Sequence, residues 1–146
     1  MIMLNIELIC ACTGKNKESY YTEAASEYAK RIGAYAKLRI TETAETDAAI
    51  LAAIPPHSYK IALCIEGKQL SSPELAEKLD RLATDGHSTV CFIIGGSEGF
   101  GRAVEDACDF RLSFSKMTFP HRLMRVILLE QIYRALNING GGKYHK

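Results

Sequence analysis

Two short segments of this chain gather residue types suited to holding a small molecule and reacting it. One is Ile93-Ile94-Gly95-Gly96-Ser97-Glu98-Gly99, and the other, further along, is Met117-Thr118-Phe119-Pro120-His121. Each follows a strand-like run, and α/β proteins bind ligands just beyond the carboxyl ends of their strands. The glycines remove the side chains that would block close approach to the backbone. The second segment sets the Thr118 hydroxyl, the Pro120 carbonyl and the His121 imidazole at the entrance to the last helix, where they can converge on one pocket. The glycine turn lacks the lysine and spacing of a Walker loop and does not follow the G-x-G-x-x-G dinucleotide pattern, so a nucleoside without a phosphate chain fits better than a nucleotide gripped by its phosphates. Glycine pairs after strands also serve as plain turn punctuation, and the turn alone decides nothing.

Charge points to a second partner. The net charge is only +1, yet residues 111–146 hold seven Lys and Arg against the single acid Glu130, while the first 110 residues are net acidic. Arg122, Arg125, Arg134, Lys143 and Lys146 therefore form a basic segment that suits a polyanion better than a neutral surface. The five cysteines, Cys10, Cys12, Cys64, Cys91 and Cys108, mostly lie in or beside apolar strand-like runs, where reduced thiols act as small hydrophobes; their odd number argues against a disulfide framework. Cys10-Ala-Cys12 has no second Cys/His pair at ligand spacing, so no metal is expected. His57 and His87 sit in turns beside Pro55-Pro56 and Gly86 and read as loop residues. No run is long enough to span a membrane, and the first residues do not read as a signal peptide, so a cytoplasmic location is expected.

The elements that must position these residues are legible in the pattern of apolar residues. Strands are predicted at Leu4 to Cys12, Lys37 to Glu42, Tyr59 to Ile65, Thr89 to Ile94 and Phe110 to Phe114, with a turn at Thr13-Gly14-Lys15-Asn16 after the first. Helices are predicted at Tyr20 to Ala34, Thr46 to Ile54, from Ser72-Pro73 to Asp85, at Arg102 to Ala107, and from Pro120 onward. This βαβαβαβαβα order implies one α/β domain with a mostly parallel sheet of five to six strands and helices on both faces. In the last helix Leu123, Val126, Ile127, Leu128, Leu129, Ile132, Tyr133 and Leu136 wrap most of the circumference. Such a helix needs partners on more than one side, and a homodimer is the economical way to supply them.

Taken in order, I-I-G-G-S-E-G, then S-K-M-T-F-P-H-R-L-M-R-V-I-L-L-E-Q-I-Y-R-A, then the Y-H-K ending resemble the RlmH family of ribosomal RNA methyltransferases, most densely from Leu63 to Lys146. That family is of the SPOUT class, whose members fold the C-terminal part of a parallel sheet into a trefoil knot that holds S-adenosylmethionine. Periodicity cannot reveal a knot, a rare exception to the ordinary connection rules. The resemblance implies cofactor contacts at Leu63, Gly95 and the run Phe114, Ser115, Lys116, Met117, Thr118 and Phe119, with Leu63, Met117 and Phe119 walling the adenine. It implies methyl transfer to N3 of a pseudouridine in a large-subunit ribosomal RNA stem-loop, by a homodimer with its cofactor sites near the interface.

His121, Arg125, Tyr144 and His145 are the groups the resemblance offers for orienting the base and aiding loss of its imide proton, with Arg122, Arg134, Lys143 and Lys146 toward the RNA. Left open are whether His121 takes a proton or merely bonds a loop, and whether Arg125 holds a ligand or pairs with Glu130 or another acid. The family usually has a proline just before Tyr-His-Lys; here stand Gly140-Gly141-Gly142-Lys143, so the tail is expected to order only against RNA or a partner subunit. A SPOUT enzyme acting on transfer RNA, a non-catalytic ribosome-binding module and a flavodoxin-like nucleotide binder are the alternatives.

Overall fold

Strand β1 (Asn5–Cys10) pairs in parallel with β2 (Lys37–Glu42) on one side and with β4 (Thr89–Ile94) on the other; β3 (Tyr59–Gln69) and β5 (Phe110–Ser113) complete a five-stranded parallel sheet in the order β2-β1-β4-β3-β5. This computed structural model describes residues 3–12 and 19–146, so the turn expected at Thr13-Gly14-Lys15-Asn16 lies outside the described residues. The helices are α1 (Ser19–Ile32), α2 (Asp47–Ala53), α3 (Ser72–Thr84), α4 (Arg102–Ala107) and α5 (His121–Asn139).

Strand alternation sorts the core into two layers. Ile6, Leu8, Val90 and Phe92 point to one face, where they meet Ile32 of α1, Leu75 and Leu79 of α3, and Leu128, Leu129 and Ile132 of α5. Ile9, Cys91 and Ile93 point to the other face, against Ile50 of α2 and Val104 of α4. The near-continuous apolar run of β4, and that of β1 from Leu8 onward, have this cause: a central parallel strand is covered on both faces. Helix α3 starts where the sequence says it should, because Ser71 and Glu74 form a reciprocal cap: the Ser71 hydroxyl accepts from the Glu74 amide at 3.2 Å, and the Glu74 carboxylate accepts from the Ser71 amide at 2.7 Å.

Two expectations change. Strand β3 does not end at Ile65 but continues to Gln69 through an irregularity described below. Helix α5 runs between α1 and α3, so much of its apolar circumference is covered within the chain rather than left for a partner. What stays half-covered is its first two turns, Leu123, Met124, Val126 and Ile127, preceded in the chain by the exposed Met117 and Phe119, 74% and 36% accessible.

Candidate active site

Three stretches meet at the carboxyl ends of β3, β4 and β5. In β3, Leu63 and Lys68 both pair with Leu112 of β5, so residues 64–67 bulge out of the ladder. A bulge re-aims side chains, and here Leu63, Cys64 and Ile65 wall one side of a crevice. The glycine turn after β4 forms the second wall, folded on itself by the bond from the Gly99 amide to the Gly96 carbonyl at 2.9 Å. A Cβ on Gly95 would lie 2.6 Å from the Gly99 carbonyl carbon, closer than packed atoms come, so only glycine permits this fold-back. Two acids clamp the turn from outside: Glu45 accepts from the Ser97 amide at 3.0 Å and Asp47 from the Gly101 amide at 2.8 Å. A side chain at Gly96 would collide with that Glu45 carboxylate. The third wall is residues 114–119, shaped by the Ser115 hydroxyl accepting from the Met117 amide and the Ser113 hydroxyl donating to the Ser115 carbonyl, each at 3.0 Å.

The crevice holds about 200 Å³. Leu63, Ile65, Leu112, Phe114, Met117 and Phe119 make it apolar; Ser97, Thr118 and His121 add polar groups, and no Lys or Arg is among its described lining residues. A site without a cation is poorly suited to phosphate and well suited to a flat heteroaromatic ring bonded by backbone groups. The residues fit an adenosine-type ligand on two counts, the apolar walls and the side-chain-free backbone of Gly95, Gly96 and Gly99 in the lining.

Of the residues the sequence proposed for this site, Leu63, Gly95, Phe114, Ser115, Met117, Thr118, Phe119 and His121 converge on the crevice, while Lys116 is exposed and does not line it. Arg122 and Arg125 face a different groove, beside α1 and β2, lined also by Tyr21, Ser26 and Glu42. Arg125 is paired there with Glu42 at 2.7 Å and donates to the Cys12 sulfur at 3.1 Å. The acid it finds is thus Glu42 and not Glu130, because Glu130 is taken by Arg134 at 2.7 Å.

The tail is the larger surprise, since it packs on its own helix. The Tyr144 amide donates to Asn137 Oδ1 at 3.2 Å, its hydroxyl donates to Glu130 at 2.7 Å, and its ring stands edge-on to Tyr133 at 4.8 Å. Arg134 lies over the Tyr144 ring at 4.7 Å and meets His145 Nδ1 at 3.0 Å. Asn137 and Glu130 thus offset the glycine-rich approach. Helix rise puts Arg134 about 20 Å beyond His121 along the axis, so Tyr144 and His145 do not reach their own chain's crevice. Lys143 and Lys146 are exposed at this far end. Cys64, Ile65, Leu112 and Met124 join the crevice, and Glu45 and Asp47 clamp its glycine turn, without having been singled out. The bulge brings Cys64 and Ile65 there, and the pairing of β2 and β4 on either side of β1 brings Glu45 and Asp47; neither leaves a periodic signal.

Residues 4–145 match the family model described as "Predicted SPOUT methyltransferase". Proteins named "Ribosomal RNA large subunit methyltransferase H" from Bacillus pumilus (strain SAFR-032) and Clostridioides difficile (strain 630) are each 46% identical over 161 residues, covering 98% of this chain and 100% of their own. The chain belongs to the RlmH family of SPOUT methyltransferases. The fold agrees: a probable methylase family protein from Haemophilus influenzae Rd KW20 superposes with a TM-score of 0.64 at 12% identity, covering 98% of this chain and 71% of that one. The SpoU methyltransferase AviRb from Streptomyces viridochromogenes, solved in complex with AdoMet, superposes at 0.53 with 13% identity over 98% of this chain and 60% of its own. In this RlmH-family chain no helix of the described residues is long and apolar enough to cross a membrane, and no group of three or more His, Cys, Asp or Glu among them could hold a metal ion.

Proposed function

We propose that this RlmH-family protein uses S-adenosylmethionine to methylate N3 of a pseudouridine in large-subunit ribosomal RNA, working as a cytoplasmic homodimer. The observation that carries the reading is the cation-free apolar crevice at the carboxyl ends of β3, β4 and β5, in a chain 46% identical end to end to proteins named for ribosomal RNA methylation. When bound, S-adenosylmethionine supplies a methyl group on a sulfonium that needs little further activation. The protein's share is positioning, which alone is worth about 7–11 kcal/mol of barrier when nucleophile and acceptor are aligned.

Leu63, Met117 and Phe119 would flank the adenine, and the backbone of the Gly95 turn and of residues 114–118 would supply hydrogen-bond partners for it. His121 stands at the mouth, where it orients the incoming base. Arg122, Lys143 and Lys146 supply positive charge toward the phosphates. The trefoil knot that SPOUT enzymes form is carried in this reading, with the segments around the crevice as its threaded part. A second copy is favoured by two features: the half-covered apolar turns at the start of α5, and the distance of the tail from its own crevice. In a dimer, Tyr144 and His145 of one subunit serve the crevice of the other.

The test is methyl transfer from labelled S-adenosylmethionine to ribosomes from a strain lacking this gene, with the acceptor nucleotide located by mass spectrometry. Label at N3 of a large-subunit pseudouridine is the expected result. Label on transfer RNA alone, or calorimetry that finds no binding of S-adenosylhomocysteine, would overturn it.

A further inference from the structure

The contact between Arg134 and His145 points to a defined role for the tail histidine. We infer that Arg134 is a positioning residue that holds the His145 ring with its proton on Nε2, so that the tail offers the substrate a hydrogen-bond donor and not a proton acceptor. The inference rests on the reading that the tail meets the RNA base.

A guanidinium has only N–H donors and stays charged. Its NH1 lies 3.0 Å from His145 Nδ1, so Nδ1 must be the acceptor and the ring proton must sit on Nε2. Neither the other tautomer nor the doubly protonated ring can keep that contact, because each turns an N–H toward a cation. Arg134 is itself held in place: Glu130 takes its Nε and NH2 at 3.1 and 2.7 Å, and its face lies over the Tyr144 ring. The same carboxylate accepts the Tyr144 hydroxyl, and that bond, reinforced by burial, raises the phenol's pKa, keeping it protonated. Glu130 is thus occupied by Arg134 and Tyr144, while Lys146 is exposed at the chain end. The polar hydrogens left to face a partner, His145 Nε2–H and the Lys146 ammonium, are donors.

A pyrimidine imide presents two carbonyl oxygens around N3, and losing the N3 proton spreads negative charge onto them. Donors placed there bind more tightly as that charge develops. The tail then recognises and stabilises the deprotonated imide, and the imide proton leaves to water rather than to His145.

Two measurements on the full-length protein decide this. Nitrogen-15 spectra of the imidazole should show the His145 proton on Nε2, and Arg134→Met should mix the tautomers. Glutamine keeps a donor where Nε2–H stands, so His145→Gln should retain methyl transfer to within about threefold, while His145→Ala and His145→Asn lose about tenfold or more, as a missing charge-assisted bond implies. A proton on Nδ1, or His145→Gln as inactive as His145→Ala, overturns the donor role. Full activity of His145→Ala is a different failure: it removes the tail from the site while leaving the tautomer to stand or fall on the spectra.

Discussion

Replacing Gly95 by alanine tests whether the fold-back of the glycine turn shapes the crevice beyond β3, β4 and β5, and whether S-adenosylmethionine binds there. The added Cβ would stand 2.6 Å from the Gly99 carbonyl carbon and 2.9 Å from its Cα. Both are backbone atoms of the turn itself, so no side chain can swing aside and the turn must open. Overpacking of this kind costs about 1–3 kcal/mol, which for a chain of this size lowers the melting temperature by about 4–8 °C at the middle of that range. Stability loss alone would prove little. Gly86→Ala supplies the comparison: its φ of +96° makes any side chain strained, yet nothing lies within 4 Å of the new Cβ, and the residue follows α3, away from the crevice. A left-handed alanine costs about 1–2 kcal/mol, so the two variants should melt at similar temperatures. They should part in calorimetry with S-adenosylhomocysteine: Gly95→Ala binds about tenfold or more weakly, equal to about 1.4 kcal/mol, and Gly86→Ala binds like the parent. Equal affinity in Gly95→Ala and the parent would refute the argument that this close approach shapes the site.

Three further outcomes follow from the same geometry. Tyr144→Phe removes the hydroxyl that bonds Glu130, worth about 1 kcal/mol, so hydrogen exchange at the Tyr144 amide should quicken while amides of β1 and β4 keep their protection; unchanged exchange would mean the tail is not held there. Arg122→Ala should lower methyl transfer to ribosomes and flatten its dependence on salt, since each phosphate contact releases counterions; identical kinetics across a salt series would count against an RNA contact. Burial pushes the thiols of Cys10 and Cys91 up to about 12 and those of Cys64 and Cys108 up to about 11, from an ordinary value of 9.0. Raised folded-state values mean that the unfolded chain ionises first, so stability is whole below pH 9 and is lost as pH rises from there toward 12. Urea midpoints measured across that range should fall, and less steeply in Cys91→Ala; parallel curves would refute the role of the buried thiol.

The apolar runs of β1 and β4, the proline and serine that open α3, and the glycines after β4 act over a few residues, through backbone sterics, capping and face alternation. Their places were therefore readable from the chain alone, as was the ordered set of motifs that marks the RlmH family. The convergence of Leu63, Gly95 and Phe119 on one crevice followed from that resemblance. Other features depend on contacts between segments far apart in the chain. Residues 64–67 bulge because Leu63 and Lys68 share one partner in β5, and Glu45 and Asp47 reach the glycine turn only because β2 and β4 flank β1. Arg125 found Glu42 at the end of β2 while Glu130 was claimed by Arg134 one turn away. Local periodicity carries no record of such choices, for a charged side chain pairs with whichever opposite charge the packed chain sets within reach. For the same reason the tail, whose glycines argued for disorder, was decided by a carboxylate and an amide on α5 that only the folded molecule places beside it.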